Sequence, residues 1–445
     1  MFKKKFLGNT RIPHHKNTAE SVPVRIPTPK EILLPMDQHI GAPAMPVVKV
    51  GDEVKVGQLV AEATSAVSSP IYASVSGKVT KIEECLRANG RKVTAIKIES
   101  DGLMTPAEGI TPPVITDLDT FLDAVRKSGL VGLGGAGFPT VIKLSALKSG
   151  NIHTVILNGA ECEPYVTTDA RTMIDETNEV YEGIKLLQKF APEVKKYVIG
   201  IEKNKPKAIK ALADISKDDP LVEILPLPLL YPQGAEKTLV YNATGIKIPE
   251  NKLPADVGTI VINVTTLAFI AKYVKTGMPL VERCVTVDGS AIAEPKNIIA
   301  PIGTPISDMI AFAGGLTQSE CKVIMGGPMT GRAACSLSEP IVKTSNAIVV
   351  LTEKDTLGKQ ATACIHCGRC VEVCPMSLNP TSFCKALKIE NIDERMAELS
   401  DASINLCVEC GSCAFVCPAA RPLIENIRVA KNALKEYNAH KASLK

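Results

Sequence analysis

The sequence predicts a multidomain protein of mixed α/β and α+β class, and three observations support this. A central stretch alternates helical patterns with short apolar runs, which is typical of a parallel sheet covered by helices. The stretches on either side of it show short, closely spaced strands with turn residues between them. Eight cysteines then share one repeated spacing near the C-terminus. With 445 residues, the chain is long enough for about three domains of ordinary size.

Composition and hydropathy exclude several classes of protein. Hydrophobic residues make up 45% and charged residues 22% of the chain, as in folded soluble proteins. The net charge of +4 is small and no basic stripe is visible, so nucleic acid is not an expected partner. The most apolar stretch, 257–274, is interrupted by polar residues and predicts a buried strand and helix. Because no signal-peptide pattern is visible either, we expect a cytosolic protein or one held at a membrane by partners.

The N-terminal hundred residues predict an arm and a small β domain. Residues 1–30 are rich in proline and predict an extended arm without regular structure, and the pair His14 and His15 has no further ligand at a suitable spacing. Residues 31–100 predict short strands in two similar halves. This pattern resembles the barrel-sandwich domain of biotinyl and lipoyl carriers. The hairpin between the halves, EATSAVSSP, lacks the lysine that carriers modify, so we expect a structural or docking module.

The remaining chain divides by its pattern into five parts. Helical stretches such as LDTFLDAVRKSGL alternate with apolar runs such as HTVILN and GTIVINV, as in a Rossmann-like domain. Shorter strands follow, then the cysteines, then a lysine-rich stretch that predicts a solvated helix. We therefore expect a linker at 101–114, an α/β domain at 115–275, a small α+β unit at 276–350, a cysteine domain at 355–430 and a basic helical tail at 431–445.

The cysteines form two copies of the pattern Cys-x2-Cys-x2-Cys-x3-Cys-Pro. The copies comprise Cys364, Cys367, Cys370 and Cys374, then Cys407, Cys410, Cys413 and Cys417. In two-cluster ferredoxins of this spacing, three thiolates on one loop hold a [4Fe–4S] cluster and the fourth comes from the other run. We therefore predict two clusters, with Cys374 joining the second triplet and Cys417 joining the first. Zinc is the competing metal, but two such triplets followed by x3-Cys-Pro favour iron–sulfur.

A glycine-rich loop at 132–143, GLGGAGFPTVIK, is a candidate cofactor site. Its glycines would let the backbone approach a flat ring or a phosphate, the following helix start can hold phosphate charge, and Lys143 adds a cation. A glycine-rich turn alone is weak evidence. Three polar loops at 158–165, 231–237 and 263–266 each follow an apolar strand, at the sheet edge where α/β proteins bind ligands. We therefore expect these loops to surround one cofactor.

These motifs resemble those of a known family. GLGGAGFPT, NGAECEPY, YPQGAEK and the double cysteine run are similar to the C subunit of the Rnf complex, a membrane-bound ferredoxin:NAD+ oxidoreductase. The α/β domain also resembles the NADH-binding flavoprotein subunit of respiratory complex I. The resemblance covers nearly the whole chain. It implies that residues 276–350 form a β-grasp unit of the soluble-ligand-binding (SLBB) type.

The resemblance implies that FMN and NAD(H) bind in one pocket. It implies that the loop glycines line both cofactors, that Lys143 faces the flavin phosphate and that Phe138 stacks on adenine. Asn158 and Glu161 would contact the flavin, and Glu163 would bind the NADH ribose or adenosine. The glycines are Gly132, Gly134, Gly135 and Gly137, and the residues that would close the flavin site are Tyr231, Gly234, Glu236, Asn263, Thr265 and Thr266.

The sequence departs from complex I at two positions. Leu133 stands where that family has arginine, and Ala160 where it has aspartate, which puts those two contacts in doubt. A cobalamin-reducing flavoprotein of diol-utilising microcompartments resembles the same core, but the barrel-sandwich stretch favours Rnf. A non-enzymatic electron-wiring subunit is another alternative, and the retained Glu163 and glycine loop argue against it. A biotin carrier is a third, and the missing hairpin lysine argues against that.

The implied function is electron transfer within a membrane complex. NADH and FMN would exchange a hydride, and the two clusters would pass single electrons to or from other Rnf subunits, indirectly to ferredoxin. The whole complex would couple this transfer to Na+ or H+ movement. The chain itself would lie on the cytoplasmic face of the membrane, held there by its partners.

Overall fold

The computed structural model describes residues 10–87, 90–319, 321–356 and 360–443 of the chain. Within these ranges no helix is both long enough and apolar enough to cross a membrane. The apolar stretch 257–274 forms a strand followed by a helix, as its interrupted pattern predicts.

The N-terminal arm contains one short strand, β1 (Val24–Arg25), which pairs in parallel with residues 298–299. The prediction of an arm without regular structure is therefore wrong at this point. Pro23 and Pro27 flank the paired residues, so neither removes a hydrogen-bond donor from the ladder. An extended segment beside an open sheet edge can form main-chain hydrogen bonds with it even when its sequence has no strand-like alternation. The sequence pattern therefore did not predict this strand.

The first domain consists of two small antiparallel sheets. Their orders are β2-β8-β7-β4 and β3-β5-β6. Alternate residues face the space between the sheets, so that Leu34, Val60 and Ile98 are fully buried. The strands are β2 (Glu31–Pro35), β3 (Met45–Pro46), β4 (Glu53–Val54), β5 (Leu59–Glu62), β6 (Ile71–Tyr72), β7 (Gly77–Leu86) and β8 (Lys92–Ser100).

The second domain is a parallel four-stranded sheet with helices packed on it, in the order β11-β10-β9-β12. The Rossmann-like class predicted for this region is confirmed. Its strands are β9 (Thr154–Gly159), β10 (Lys196–Glu202), β11 (Val222–Leu227) and β12 (Thr259–Asn263). Its helices are α1 (Leu118–Lys127), α2 (Thr140–Leu144), α3 (Thr168–Asp175), α4 (Thr177–Phe190), α5 (Pro206–Ile215), α6 (Glu236–Thr244) and α7 (Val264–Thr276).

The third domain is a mixed sheet that takes in the strand from the arm. Its order is β1-β14-β13-β17-β15-β16, and Val285, Ile298 and Val350 form part of its buried core. The elements are β13 (Glu282–Asp288), β14 (Lys296–Pro301), α8 (Ile306–Phe312), β15 (Cys321–Met325), β16 (Arg332–Ala333) and β17 (Ala347–Thr352).

The cysteine domain is helical, and its last helix begins earlier than the predicted tail. Helix α14 starts at Leu423 and buries Ile427, Ala430 and Leu434 in the core of this domain. The expectation of a solvated helix from residue 431 therefore fails for its first turns. Helix α9 (Glu353–Thr356) directly follows β17, and the helices of the cysteine domain are α10 (Arg369–Glu372), α11 (Pro380–Ala386), α12 (Ile392–Asp401), α13 (Ser412–Phe415) and α14 (Leu423–Ser443).

Candidate cofactor and iron–sulfur sites

The glycine-rich loop is fixed at both ends and open in its middle. The N–H of Leu133 donates to Thr266 Oγ1 (2.9 Å), and the carbonyl of Gly137 accepts from the N–H of Ile40 (2.9 Å). Residues 134–136 are exposed between these points, and within the described residues their N–H groups donate to no protein atom. The loop thus offers consecutive main-chain donors, which suit an anionic or carbonyl-rich ligand.

Three glycines of this loop are required by its geometry, and one of them, Gly137, has φ +68°. Gly135 has φ +103°, a left-handed conformation that side chains rarely adopt. At Gly134 a Cβ would lie 3.0 Å from the side-chain nitrogen of Asn263, so a larger residue would push the loop off the end of β12. The glycine-rich loop therefore packs directly against the end of β12.

The polar loops at the strand ends also meet. Asn158, near the end of β9, donates from Nδ2 to the carbonyl of Gly234 (2.9 Å), which lies in the loop before α6. Asn263 ends β12, and its side chain caps α7 by accepting from the N–H of Thr266 (3.1 Å). The structure therefore brings the loops at 132–137, 158–165, 231–237 and 263–266 to one edge of the sheet.

Asp169, which the motif spacing did not single out, joins two of these loops. Its carboxylate accepts from Asn263 Nδ2 (2.8 Å) and from Thr265 Oγ1 (2.7 Å). Burial raises the pKa of Asp169, and the two hydrogen bonds oppose that rise. Asn263 and Thr265 are thus oriented by a partly buried carboxyl on α3.

Glu161 caps the helix that carries Asp169. Its carboxylate accepts from the N–H groups of Asp169 (2.6 Å) and Ala170 (3.3 Å), at the positive end of α3. Burial raises the pKa of Glu161 to about 7, and the nearby Lys16 ammonium lowers it. The structure therefore places this predicted flavin contact in a helix cap beside the pocket.

Two lysines, the partly buried Lys16 and the buried Lys205, donate hydrogen bonds to main-chain carbonyls of the loop at 160–166. Lys16, in the arm, donates to the carbonyls of Glu161 (2.8 Å), Glu163 (2.8 Å) and Val166 (2.6 Å). Lys205 donates to the carbonyl of Ala160 (2.8 Å) and pairs with Glu202 (3.1 Å). Sequence reasoning missed both lysines. Lys205 could have been found, since it follows the end of β10, but nothing in the proline-rich arm marks Lys16.

Glu163 faces the third domain. Its carboxylate accepts from the N–H of Met329 (3.2 Å) and from the hydroxyl of Thr330, and burial raises its pKa. The loop at 326–331 comes so close that a Cβ at Gly327 would lie 2.3 Å from the Glu163 carboxylate. A nucleotide that binds Glu163 must therefore replace these two hydrogen bonds.

Lys143 and Glu236 form an ion pair (2.5 Å), and their side chains are 32% and 40% exposed. This pair joins α2, directly after the glycine-rich loop, to the first residue of α6. Phe138 is partly buried at the end of the loop, and its carbonyl accepts from the N–H of Gly132 (2.9 Å). The cation predicted to face a phosphate thus lies within reach of the loop and is balanced by a carboxylate.

The eight cysteines separate into two groups of four, each lining its own cavity. The inner set comprises Cys374, Cys407, Cys410 and Cys413, and the outer set comprises Cys364, Cys367, Cys370 and Cys417. Each set therefore draws its fourth cysteine from the other run. In the part of the chain that the structure describes, no three His, Cys, Asp or Glu side chains lie close enough to hold a single ion.

The two cysteine loops repeat one backbone geometry. His366 and Glu409 occupy the same position of each run and have φ +55° and +53°, while Gly368 and Gly411 have φ +76° and +77°. Side chains rarely adopt such angles, so the repetition indicates a shared structural requirement. Four thiols around each cavity are the donor set of a [4Fe–4S] cluster, and the residues present fit that group.

The inner set lies in an apolar environment, with Cys413 buried and the other three cysteines partly buried. Leu378, Phe383 and Ile427 line the same cavity. Burial raises the pKa of Cys407 to about 11 and that of Cys413 to about 12. Thiolates at these positions therefore need a strong positive partner such as iron.

The outer set opens to solvent. Cys364 and Cys367 are exposed. Four cations and no carboxylate line the outer cavity, and Cys384, which the spacing did not predict as a site residue, lies there too. The cations are Arg369, Lys385, Lys388 and Arg421.

The inner set contacts the α/β domain through Tyr231. The hydroxyl of this buried tyrosine donates to the carbonyl of Cys410 (2.7 Å). The loop at 326–331 completes the contact, since a Cβ at Gly411 would lie 2.6 Å from the carbonyl oxygen of Met329. Tyr231 lies three residues before Gly234, so one short segment joins the strand-end loops to the inner cysteines.

Four family models match successive parts of the chain. They describe an RnfC barrel-sandwich hybrid domain at 4–103, a Nuo51 FMN-binding domain at 125–272, an SLBB domain at 284–333 and a 4Fe-4S dicluster domain at 360–420. The fold classes predicted for the four regions are thereby confirmed.

Relatives with known names match most of the chain. The C subunit of the proton-translocating ferredoxin:NAD+ oxidoreductase complex of Clostridium ljungdahlii is 44% identical over 85% of this chain and 83% of its own. The C subunit of the Na+-translocating complex of Acetobacterium woodii is 42% identical over 96% of this chain and 97% of its own. The C subunit of the ion-translocating oxidoreductase complex of Rhodobacter capsulatus is 38% identical over 96% and 82%. The chain therefore belongs to the family of C subunits of Rnf-type ion-translocating ferredoxin:NAD+ oxidoreductase complexes.

Proposed function

We propose that this chain exchanges a hydride between NAD(H) and FMN and passes single electrons through two [4Fe–4S] clusters to or from the other subunits of its complex. FMN, when bound, supplies the conversion between two-electron and one-electron chemistry. The chain's own residues bind the cofactors, orient them and place the pocket beside the cysteines.

The Tyr231 contact is the observation that carries this proposal. The segment 231–234 touches Asn158 through Gly234 and the inner cysteine loop through Tyr231 (2.9 and 2.7 Å). A cofactor among the strand-end loops would thus lie directly beside the inner cluster. The outer set would come next, facing solvent and the partner subunits.

Individual residues would bind the cofactors as follows. The free N–H groups of residues 134–136 would donate to FMN or the nucleotide, and Asn263 and Thr265, oriented by Asp169, would close the flavin site. Lys143 would turn from Glu236 toward a phosphate. Glu163 would exchange Met329 and Thr330 for ribose hydroxyls.

The coupling ion would be chosen elsewhere in the complex. The relatives from C. ljungdahlii and A. woodii are named for different ions, H+ and Na+, yet are 44% and 42% identical to this chain. We propose that this chain works on the cytoplasmic face of the membrane, held by the other subunits. There it would link NAD(H) to ferredoxin while those subunits move Na+ or H+.

The test is anaerobic purification followed by iron and flavin analysis and an NADH titration. We expect one FMN per chain, iron for two [4Fe–4S] clusters, and bleaching of the flavin absorbance by NADH. A chain that holds iron but neither binds FMN nor responds to NADH would contradict the proposal.

Glu163→Gln tests the nucleotide role within this scheme. The amide keeps the size of the side chain but cannot bind ribose hydroxyls as a carboxylate does, so we expect weaker NADH binding with unchanged iron content. Glu182→Gln, on the exposed face of α4, is the control for the same change of charge. Unchanged flavin reduction by NADH in Glu163→Gln would show that Glu163 does not bind the nucleotide.

A further inference from the structure

We propose that the barrel-sandwich and SLBB domains together form a clamp that holds the glycine-rich loop in its cofactor-binding shape, with Arg283, Lys343 and Ile40 as positioning residues. This inference rests on the proposed function. It gives a role to a carrier-like domain that lacks the carrier lysine.

Arg283 holds the first half of the loop. It lies on β13 of the SLBB domain, its side chain is buried, and its Nη2 donates to the carbonyl of Leu133 (3.0 Å). Its Nε donates to the carbonyl of Ser345 (3.2 Å), in the segment before β17. A planar guanidinium with two fixed acceptors sets both position and direction, so the Leu133 carbonyl cannot rotate freely.

Lys343 fixes the chain just before the loop. Its buried Nζ lies within hydrogen-bond distance of the carbonyl of Gly129 (2.8 Å), Ser69 Oγ (3.1 Å) and the carbonyl of Pro70 (2.5 Å). Ser69 Oγ also donates to the Gly129 carbonyl (3.0 Å). Lys343 belongs to the SLBB domain, Ser69 and Pro70 to the barrel-sandwich domain, and Gly129 to the α/β domain, so one side chain joins all three.

The far end of the loop is held by the same two domains. The N–H of Ile40, in the barrel-sandwich domain, donates to the Gly137 carbonyl (2.9 Å). A Cβ at Gly137 would lie 2.5 Å from the methyl group of Thr344, the residue after Lys343. His39 Nε2 accepts from the N–H of Ser69 (2.7 Å), which fixes the segment that carries Ile40.

The consequence is a preorganised cofactor loop. Its two ends are tied to neighbouring domains, and the N–H groups of residues 134–136 stay free between them. Fixing these donors before the cofactor arrives removes an ordering cost from binding. Loosening the clamp should therefore weaken FMN binding even though no clamp residue needs to touch the flavin.

FMN titration of the flavin-depleted, cluster-containing chain tests the clamp, with quenching of flavin fluorescence as the readout. The variants are Lys343→Met and Arg283→Met, with Arg283→Lys as the conservative change. Arg87→Met is the control. The side chain of Arg87 is 11% exposed and joins the same two domains through Asp37 (3.1 Å) and Glu339 (3.3 Å), but does not contact the loop.

We expect Lys343→Met and Arg283→Met to weaken FMN binding at least about tenfold, as loss of an orienting partner commonly does, with cluster content unchanged. Arg283→Lys should recover part of the affinity. Arg87→Met should lower the unfolding temperature but keep wild-type affinity. If Arg283→Met does not fold, the FMN affinities of Lys343→Met and Arg283→Lys test the clamp.

Two results would overturn the clamp. One is wild-type FMN affinity in a folded Lys343→Met chain, together with wild-type affinity in Arg283→Lys. The other is an equal loss of affinity in Arg87→Met, which would show a general effect of loosening the domains. Failure of the proposed function would look different, because the wild-type chain itself would then bind no FMN.

Discussion

The inner and outer cysteine sets share one spacing and one backbone geometry but lie in different surroundings. The inner set is lined by apolar side chains, and the nearby Glu409 is paired with Lys431 (2.7 Å) and Arg428 (3.5 Å). The outer set is open, and within the described residues none of the four cations that line its cavity forms an ion pair. The same motif thus lies in apolar surroundings beside paired charges in the inner set, and is exposed beside unpaired cations in the outer set.

This difference indicates how a repeated motif acquires two roles. Cluster potentials depend on solvent exposure and on hydrogen bonds near the sulfurs, so two clusters on identical spacing need not be equivalent. Under the proposed function, the inner set would transfer electrons within the chain, since it contacts Tyr231 of the α/β domain. Under the proposed function, the outer set would transfer electrons to another protein, whose negative charges would balance the unpaired cations.

The largest expected effect is the loss of one cluster when the fourth cysteine of either run is replaced by alanine. We expect Cys374→Ala to lose the inner cluster and Cys417→Ala to lose the outer one, because each set takes its fourth ligand from the other run. Each variant should keep about half of the iron. Electron paramagnetic resonance should give matching spectra for Cys374→Ala and Cys407→Ala, and for Cys417→Ala and Cys364→Ala. A Cys374→Ala spectrum that matches Cys364→Ala would contradict the crossover.

A smaller effect is the order in which an oxidant destroys the clusters. Cys364 and Cys367 are exposed, whereas Cys413 is buried, so ferricyanide should reach the outer cluster first. Samples would be withdrawn during the oxidation, reduced with dithionite and measured by electron paramagnetic resonance. We expect an intermediate sample whose spectrum matches that of Cys417→Ala. Simultaneous loss of both clusters, or loss of the inner one first, would remove the distinction between the two sets.

Tyr231→Phe should have the smallest effect and act on the inner set alone. It removes the buried hydrogen bond to the Cys410 carbonyl (2.7 Å), so we expect a loss of about 1 kcal/mol in the free energy of unfolding. The potential of the inner cluster should shift while that of the outer cluster does not, as measured by redox titration. Tyr437→Phe is the control, since that hydroxyl also donates a hydrogen bond but is exposed on α14. Equal shifts in both variants would count against a specific role for Tyr231.

Much of the fold followed from the sequence because it rests on local periodicity. The alternation of strands and helices predicted the parallel sheet, and the strand ends predicted that Asn158, Gly234 and Asn263 would meet. The cysteine spacing predicted the grouping that the two cavities show. The roles of the cofactor residues stay predictions until ligands are bound.

Two of the residues that sequence reasoning missed, Lys16 and Arg283, reach the site from other domains. Lys16 lies 145 positions before Glu161, and Arg283 lies 150 positions after Leu133. Such contacts cannot be predicted from residue spacing, because the two contacting residues are far apart in the sequence and lie in unrelated local patterns. Glu163 shows the same limit: its present partners, Met329 and Thr330, belong to a loop of another domain.

The central claim is that the inner cluster lies between the flavin and the outer cluster. Anaerobic NADH oxidation by cytochrome c, compared between wild type and Cys374→Ala with flavin bleaching followed in parallel, tests it most directly. We predict that Cys374→Ala bleaches its flavin at the wild-type rate while cytochrome c reduction falls to the level of a chain without clusters. Cytochrome c reduction at the wild-type rate in this variant would contradict the account.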